Sequence, residues 1–205
     1  MQRILALGSA PAMYRVSSAQ KAPDEALIAL IAKRHKRAME LLFARHSVRV
    51  HRFVCRLTGD SLLAEEIVSD VFLAVWRGAE NFAVRSRVST WLLAIARHKA
   101  IAVLRRRKEL PLDDEDAAAI ADAADGPETS VQEANRSAII QSCLKRLSPS
   151  HREIIDLVYY HEKSVAEAAQ IVGIPEGTVK TRMLRARLRM AELLKDVGVD
   201  GLHAC

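Results

Sequence analysis

Six side chains in the stretch EGTVKTRMLR, namely Glu176, Thr178, Lys180, Thr181, Arg182 and Arg185, are of types that hydrogen-bond to base edges and phosphates. A glutamate can accept from the cytosine amino group and an arginine can pair bidentately with guanine, each good pair giving about 1–3 kcal/mol of discrimination. Such chemistry needs a helix delivered by its N-terminal end into a groove, and the preceding residues supply the means. Ser164 with Glu167 three residues on spells a capping box. Val165, Ala168, Ala169 and Val172 are small or branched, which suits a short helix crossing close to another. Gly173 provides a turn, and Pro175 is expected at the first position of the next helix, where its missing N–H costs nothing. In that helix Val179, Met183, Ala186 and Met190 step by four, three and four on the inner side, opposite Thr178, Thr181, Arg182, Arg185 and Arg189. The pattern predicts a helix-turn-helix whose second helix enters the major groove.

The charge distribution is consistent with a polyanionic partner. Residues 1–108 carry 20 Lys/Arg against 8 Asp/Glu, residues 109–142 carry 1 against 9, and residues 143–205 carry 10 against 8. Two basic blocks therefore flank an acidic connector. Seven scattered histidines and three cysteines far apart in the chain (Cys55, Cys143 and Cys205) offer neither a disulfide framework nor a zinc site. No catalytic carboxylate cluster stands out, so no enzyme, metal or cofactor is expected.

Half of the chain is apolar and aromatics are few, which favours packed helices over sheets. From Asp24, Leu27, Ile31, Ala38, Leu42, Val50, Phe53, Val54 and Leu57 recur at helical steps, in one long helix or two joined ones. After the stop TGDS, the stretch Leu62 to Arg77 sets Ala64, Ile67, Val68, Val71, Phe72, Val75 and Trp76 against Glu65, Glu66, Ser69 and Asp70. A polar loop, AENFAVRSRVS, precedes a third helical stretch from Thr90 to about Lys108. A further helix starts at Ser148 or Ser150, with Ile154, Ile155, Leu157 and Val158 inward.

Residues 109–138 read as a flexible acidic linker with too few large apolar groups to offset the entropy of ordering. Residues 1–22 and 198–205 read as tails. The apolar run Ile4 to Leu7 is too short for a secretory signal, and no stretch approaches a membrane span, so a cytoplasmic protein is expected. The fold class is all-α, with helical domains at 23–108 and 139–197. Cys143 is expected to be packed.

The motifs carry a family resemblance. LSPSHREIIDLVYYHEKSVAEAAQIVGIPEGTVKTRMLRARLRMAELL is similar to region four of the extracytoplasmic-function (ECF) sigma factors of the sigma-70 family. LLAEEIVSDVFLAVWRGAENF followed by STWLLAIARHKAIAVLRRRK resembles their region two. Both blocks stand in family order, and the likeness spans roughly residues 24–195.

The resemblance implies a factor that binds core RNA polymerase, directs it to promoter DNA and helps melt the start site, without covalent chemistry. It implies stress-responsive control by an anti-sigma partner. The helix-turn-helix would read the −35 element. Glu65, Glu66, Ser69 and Asp70 would dock on a coiled coil of the polymerase's largest subunit. Asn81, Arg85, Ser86, Arg87 and Ser89 would hold the melted −10 strand, where an unstacked base needs a pocket and backbone contacts. Trp91 is expected to pack beneath that loop. Arg97, Lys99 and the run from Arg105 and Arg106 to Lys108 would grip phosphates, which gives affinity without sequence information.

Three positions depart from the family. His98 stands where Asn is frequent and Ala102 where a second polar residue is, both at positions that in the family read the upstream edge of the −10 element, and Leu63 stands where Asp is common. The connector has two readings: a plain tether, or a segment threading the polymerase cleft with Asp113, Asp114, Glu115 and Asp116 mimicking nucleic acid. The rival function is a stand-alone helix-turn-helix regulator with a sensor domain. The basic charge of the first block and its lack of a phosphoacceptor βα pattern argue against it.

Overall fold

The computed structural model describes residues 22–83, 86–109 and 131–197. The tails, most of the acidic connector and Arg85 lie outside the described residues. Helix α1 is Asp24–Ala32 and α2 is Lys36–Thr58, so the first periodic stretch is two helices. The break at Lys33–His35 turns through Arg34 at φ 65°. It is stapled by the Arg34 guanidinium, which donates to the Trp76 carbonyl at 2.6 Å and sits 5.6 Å over the Trp76 ring. Asp24, opening α1, accepts from Arg45 at 2.8 Å and lies 2.7 Å from His46 Nε2, which ties α1 to the middle of α2.

Helix α3 is Ser61–Gly78, followed by a 3-10 turn at Ala79–Asn81, and α4 is Val88–Glu109. Gly59 closes α2 at φ 73°, and Asp60 caps α3 by accepting the Leu63 N–H at 2.9 Å. That hydrogen bond, first among several influences, holds the Asp60 carboxyl below its ordinary pKa. Helix α4 starts two residues before the expected Thr90, because the Arg87 carbonyl accepts from Thr90 and Trp91 and closes the first turn.

In the C-terminal half, α5 is Val131–Lys145, α6 is Pro149–Ile155, α7 is Val165–Val172 and α8 is Glu176–Asp196. The start of α5 lies inside the span read as linker. Ser148, not Ser150, caps α6. Its last turn widens into a π-helical segment, Asp156–Tyr160. Glu162 then takes a left-handed conformation (φ 53°), so that His161 and Lys163 turn inward.

The stripes foreseen on α2 and α3 form the core: Leu42, Val50, Phe53, Val54, Val71 and Val75 are at most 1 % exposed. Trp91 lies 5.0 Å from Phe82, beneath the loop as expected. One continuous apolar cluster includes Val88, Leu92, Leu93, Ala96 and Ala100 with Ile154, Leu157, Ala168, Ile171 and Val179. The two helical domains are thus packed on each other, α4 against α7 and α2 against α6. A second cluster, containing Cys143, Leu144, Leu147, Ile155, Ala186, Leu193 and Leu194, joins α5, α6 and α8. Burying a large side chain of this kind contributes about 1.5–3 kcal/mol.

Candidate nucleic-acid interface

The helix-turn-helix is α7 and α8. Both halves of the capping box form: the Ser164 hydroxyl accepts from the Glu167 N–H at 3.2 Å, and Glu167 Oε2 accepts from the Ser164 N–H at 3.0 Å. Gly173, at φ 72°, ends α7, with its N–H donated to Ala169 O at 2.8 Å. Pro175 is the cap residue of α8 and not its first residue; its carbonyl accepts from Thr178 and Val179. The reason is its extended ψ of 146°, which places it outside the helix while its oxygen already belongs to the ladder.

Val179 and Ala186 are fully buried, Met183 and Met190 partly so, and the opposite face of α8 points outward. Glu176, Lys180, Thr181 and Arg185 are exposed, whereas Thr178 and Arg182 are half-buried. Arg182 and Arg185 have no acidic partner among the described residues. Thr181 donates its hydroxyl to the Gly177 carbonyl at 2.9 Å and is otherwise exposed. Beyond them Arg187 donates to the Tyr159 hydroxyl at 2.7 Å and Arg189 pairs with Glu192 at 2.8 Å. Arg187 and Arg189 are thus tied to the protein, while Arg182 and Arg185 have no acidic partner among the described residues.

On the first domain Asn81 and Arg87 are exposed and Ser86 is half-buried. His98, Arg105 and Arg106 are exposed along α4. Arg107 pairs with Asp60 at 3.2 Å and Lys99 with Asp70 at 3.4 Å. Lys99 and Asp70, assigned to DNA and to polymerase respectively, are therefore neighbours, which puts the two expected surfaces side by side. Glu65, Glu66, Ser69 and Asp70 are all exposed on α3. Leu62 at 76 % and Leu73 at 43 % exposure lie on the same side of that helix. They add an apolar component that charge alone does not reveal, although their spacing of three helical turns carries the signal.

Two expected DNA contacts are engaged by the second domain. Arg97 forms a two-pronged pair with Glu153, Nε to Oε1 at 2.6 Å and Nη2 to Oε2 at 3.3 Å. Ser89 accepts from Lys163 Nζ at 2.7 Å. Next to it Thr90 accepts from the same ammonium at 3.2 Å and donates to Glu167 Oε1 at 2.7 Å. Burial lowers the Lys163 pKa, and the Glu167 charge opposes that effect. Burial also resists ionisation of Glu167, but hydrogen bonds from Ser164 and Thr90 and the Lys163 charge prevail, bringing it to about 2. A third link joins Arg56 to Asp156, with the guanidinium 4.1 Å over the Tyr160 ring and His161 edge-on to Phe53 at 5.4 Å. Glu153, Asp156, His161 and Lys163 are not part of the site read from sequence, since each meets a partner far away in the chain.

Comparison with known proteins places this architecture. The family Sigma-70 region 2 matches residues 42–109, and Sigma-70, region 4 matches residues 137–190. The ECF RNA polymerase sigma factor SigM of Mycobacterium tuberculosis H37Rv is 32% identical over 189 residues, covering 92% of either chain. The chain belongs to the ECF sigma factors of the sigma-70 family. SigW, an ECF RNA polymerase sigma factor of Bacillus subtilis, is 30% identical and aligns over 73% of this chain and 84% of its own length. Among solved structures, the sigma factor RpoE of Bartonella quintana, crystallised with the anti-sigma factor NepR, superposes with a TM-score of 0.62 at 28% identity. That match covers 78% of this sigma factor and 96% of RpoE. The region 2 match takes in most of α2 with α3 and α4, and the region 4 match runs from within α5 through the helix-turn-helix. As a sigma factor, the chain binds core RNA polymerase and confers promoter recognition at transcription initiation. No helix among the described residues is long and apolar enough to cross a membrane.

Proposed function

We propose that this ECF sigma factor recognises the −35 element through Glu176, Thr178, Lys180, Thr181, Arg182 and Arg185, and holds the melted −10 strand on Asn81, Arg85, Ser86, Arg87 and Ser89. Arg97, His98, Lys99, Arg105 and Arg106 extend that second surface along α4. The observation that carries the reading is the split among the α8 cations. Arg182 and Arg185, near the end that enters a groove, lack acidic partners among the described residues, while Arg187 and Arg189 are tied to Tyr159 and Glu192. Guanidiniums left open at that end suit base and phosphate contact.

Core polymerase docks on the exposed face of α3, Glu65, Glu66, Ser69 and Asp70 together with Leu62 and Leu73. An apolar pair flanking acidic groups suits a partner surface that is basic and partly apolar. Region 2 extends over 23–108 and region 4 over 139–197, joined by the acidic connector. The factor acts in the cytoplasm without catalytic activity of its own. An anti-sigma protein restrains it until a stress signal arrives, a reading supported by the anti-sigma complex of the similar RpoE.

The test is reconstitution. The purified chain is mixed with bacterial core RNA polymerase and followed by size-exclusion chromatography. A one-to-one complex at micromolar concentration or tighter is expected, with promoter-dependent transcripts from the holoenzyme. No co-elution, with tight salt-sensitive duplex binding by the free chain, would instead establish a stand-alone regulator.

A further inference from the structure

On one side of α2, Arg49, Phe53 and Arg56 follow at steps of four and three residues, a single stripe of the helix. The stripe lies beside the chain from Asp156 to Lys163. Arg56 pairs with Asp156, and Phe53 meets the His161 ring edge-on at 5.4 Å. At the other end of the stripe Arg49 comes near Lys163, so a cation stands by a cation where Arg56 has a carboxylate. Arg87 approaches from a third side, two residues before Ser89, whose hydroxyl accepts from Lys163 Nζ at 2.7 Å. Burial is the largest cause lowering the Lys163 pKa, and the charges of Arg49 and Arg87 push the same way against Glu167.

Three cations from three segments thus gather at one seam, and their charge is poorly matched. Glu167, 3.6 Å from Lys163, is the acid that pairs with it among the described residues. Its oxygens already accept from the Thr90 hydroxyl at 2.7 Å and the Ser164 N–H at 3.0 Å. Lys163 is 4 % exposed, and its ammonium is engaged by Ser89 and Thr90 as well. It adds positive potential from behind and offers no free donor. Arg49 and Arg87 are exposed and have no acidic partner among the described residues. Each guanidinium presents a planar fork that matches two oxygens of a phosphate. Two forks in front of a buried ammonium suit an anion with oxygens enough for both, whose charge relieves the repulsion.

We infer that Arg49 and Arg87, backed by Lys163, form a phosphate-binding site where α2 and the approaches to α4 and α7 meet. The phosphate belongs to a free phosphorylated small molecule or to a nucleic-acid backbone, which offer the same oxygens. The site needs Arg49 and the field of Lys163, and so goes beyond the −10 reading of Arg87.

The test uses the full chain in phosphate-free buffer at constant ionic strength, with inorganic pyrophosphate and a short oligothymidylate as probes. Thermal unfolding followed by circular dichroism reads binding. A probe at ten times its dissociation constant should raise the melting temperature by roughly 4 °C. Arg49→Gln should lose that rise and Arg49→Lys should keep part of it. Arg37→Gln, about 18 Å along the helix from Arg49, removes the same charge and should keep the whole rise. Without a probe, Arg49→Gln should melt no lower than the parent chain, since it removes a repelled charge. A rise with pyrophosphate that Arg49→Gln abolishes assigns the site to a free anion. A rise confined to oligothymidylate, and abolished likewise, assigns it to a strand backbone; either result supports the site. It is overturned if neither probe raises the melting temperature or if the rise survives Arg49→Gln. It is also overturned if Arg49→Gln alone melts clearly lower, which would show Arg49 held by the protein.

Discussion

Arg97 and Glu153 are fifty-six residues apart, on α4 and α6, and form a two-pronged ion pair whose carboxylate is 7 % exposed. A paired buried carboxylate is tolerable, whereas an unpaired one is not. Removing the cation alone with Arg97→Met should therefore lower unfolding stability by roughly 3 kcal/mol. The double variant Arg97→Met, Glu153→Met should recover most of that loss. Urea denaturation of the four species gives the coupling directly, and strict additivity would show that the pair contributes nothing.

The second expectation concerns acid. Glu167 ionises at about 2 in the folded chain, below its ordinary 4.5. A carboxyl with a depressed folded pKa contributes stability that is fully present above the unfolded value and is lost as pH falls through the folded one. The chain should weaken between about pH 4.5 and 2 partly through this group. Glu167→Gln should show a flatter fall of the urea midpoint over that window, and parallel curves would contradict the assignment.

At the turn of the helix-turn-helix, Gly173 holds φ 72° with nothing within 4 Å of an added Cβ. Gly173→Ala should cost about 1–2 kcal/mol through left-handed strain alone. Asparagine, which tolerates that conformation better, should cost less. Equal thermal shifts for the two variants would point to a cause other than backbone strain.

Arg182→Ala should abolish −35-dependent transcription while the variant still co-elutes with core polymerase, because α8 and the proposed docking face of α3 are separate surfaces. Loss of both together would mean that α8 carries the polymerase contact as well.

For the docking face, Leu62→Asp should weaken co-elution with core polymerase by about tenfold or more, in line with loss of a central apolar contact. Melting temperature should stay near that of the parent chain, since Leu62 is 76 % exposed. An unchanged complex would move the interface elsewhere on region 2.

Much of the fold and of the outward face of α8 is legible in the order of the residues. The α2 and α3 stripes, the Ser164 capping box, the Gly173 turn and the inward row on α8 are local patterns, set by helical period and by which residues satisfy helix ends. Sequence and structure part where local rules compete. Pro175 suits a cap or a first helical position equally well, and the start of α4 is decided by the Arg87 carbonyl and not by Thr90. Leu62 and Leu73 are invisible to a reading of charge, although their period places them beside Glu66 and Ser69.

By itself the amino-acid order determined the helical class, the helix-turn-helix and its outward residues, because these depend on neighbours within a few turns. It also carried the two family blocks in their order. Only the tertiary structure decided that Glu153 meets Arg97, that Lys163 meets Ser89 and that Asp156 meets Arg56. Those pairs span 56 to 100 positions. Periodicity shows which side of a helix is apolar but not which distant helix will cover it. The partner is chosen by packing and by the need to match each buried ion, and no spacing rule encodes that choice.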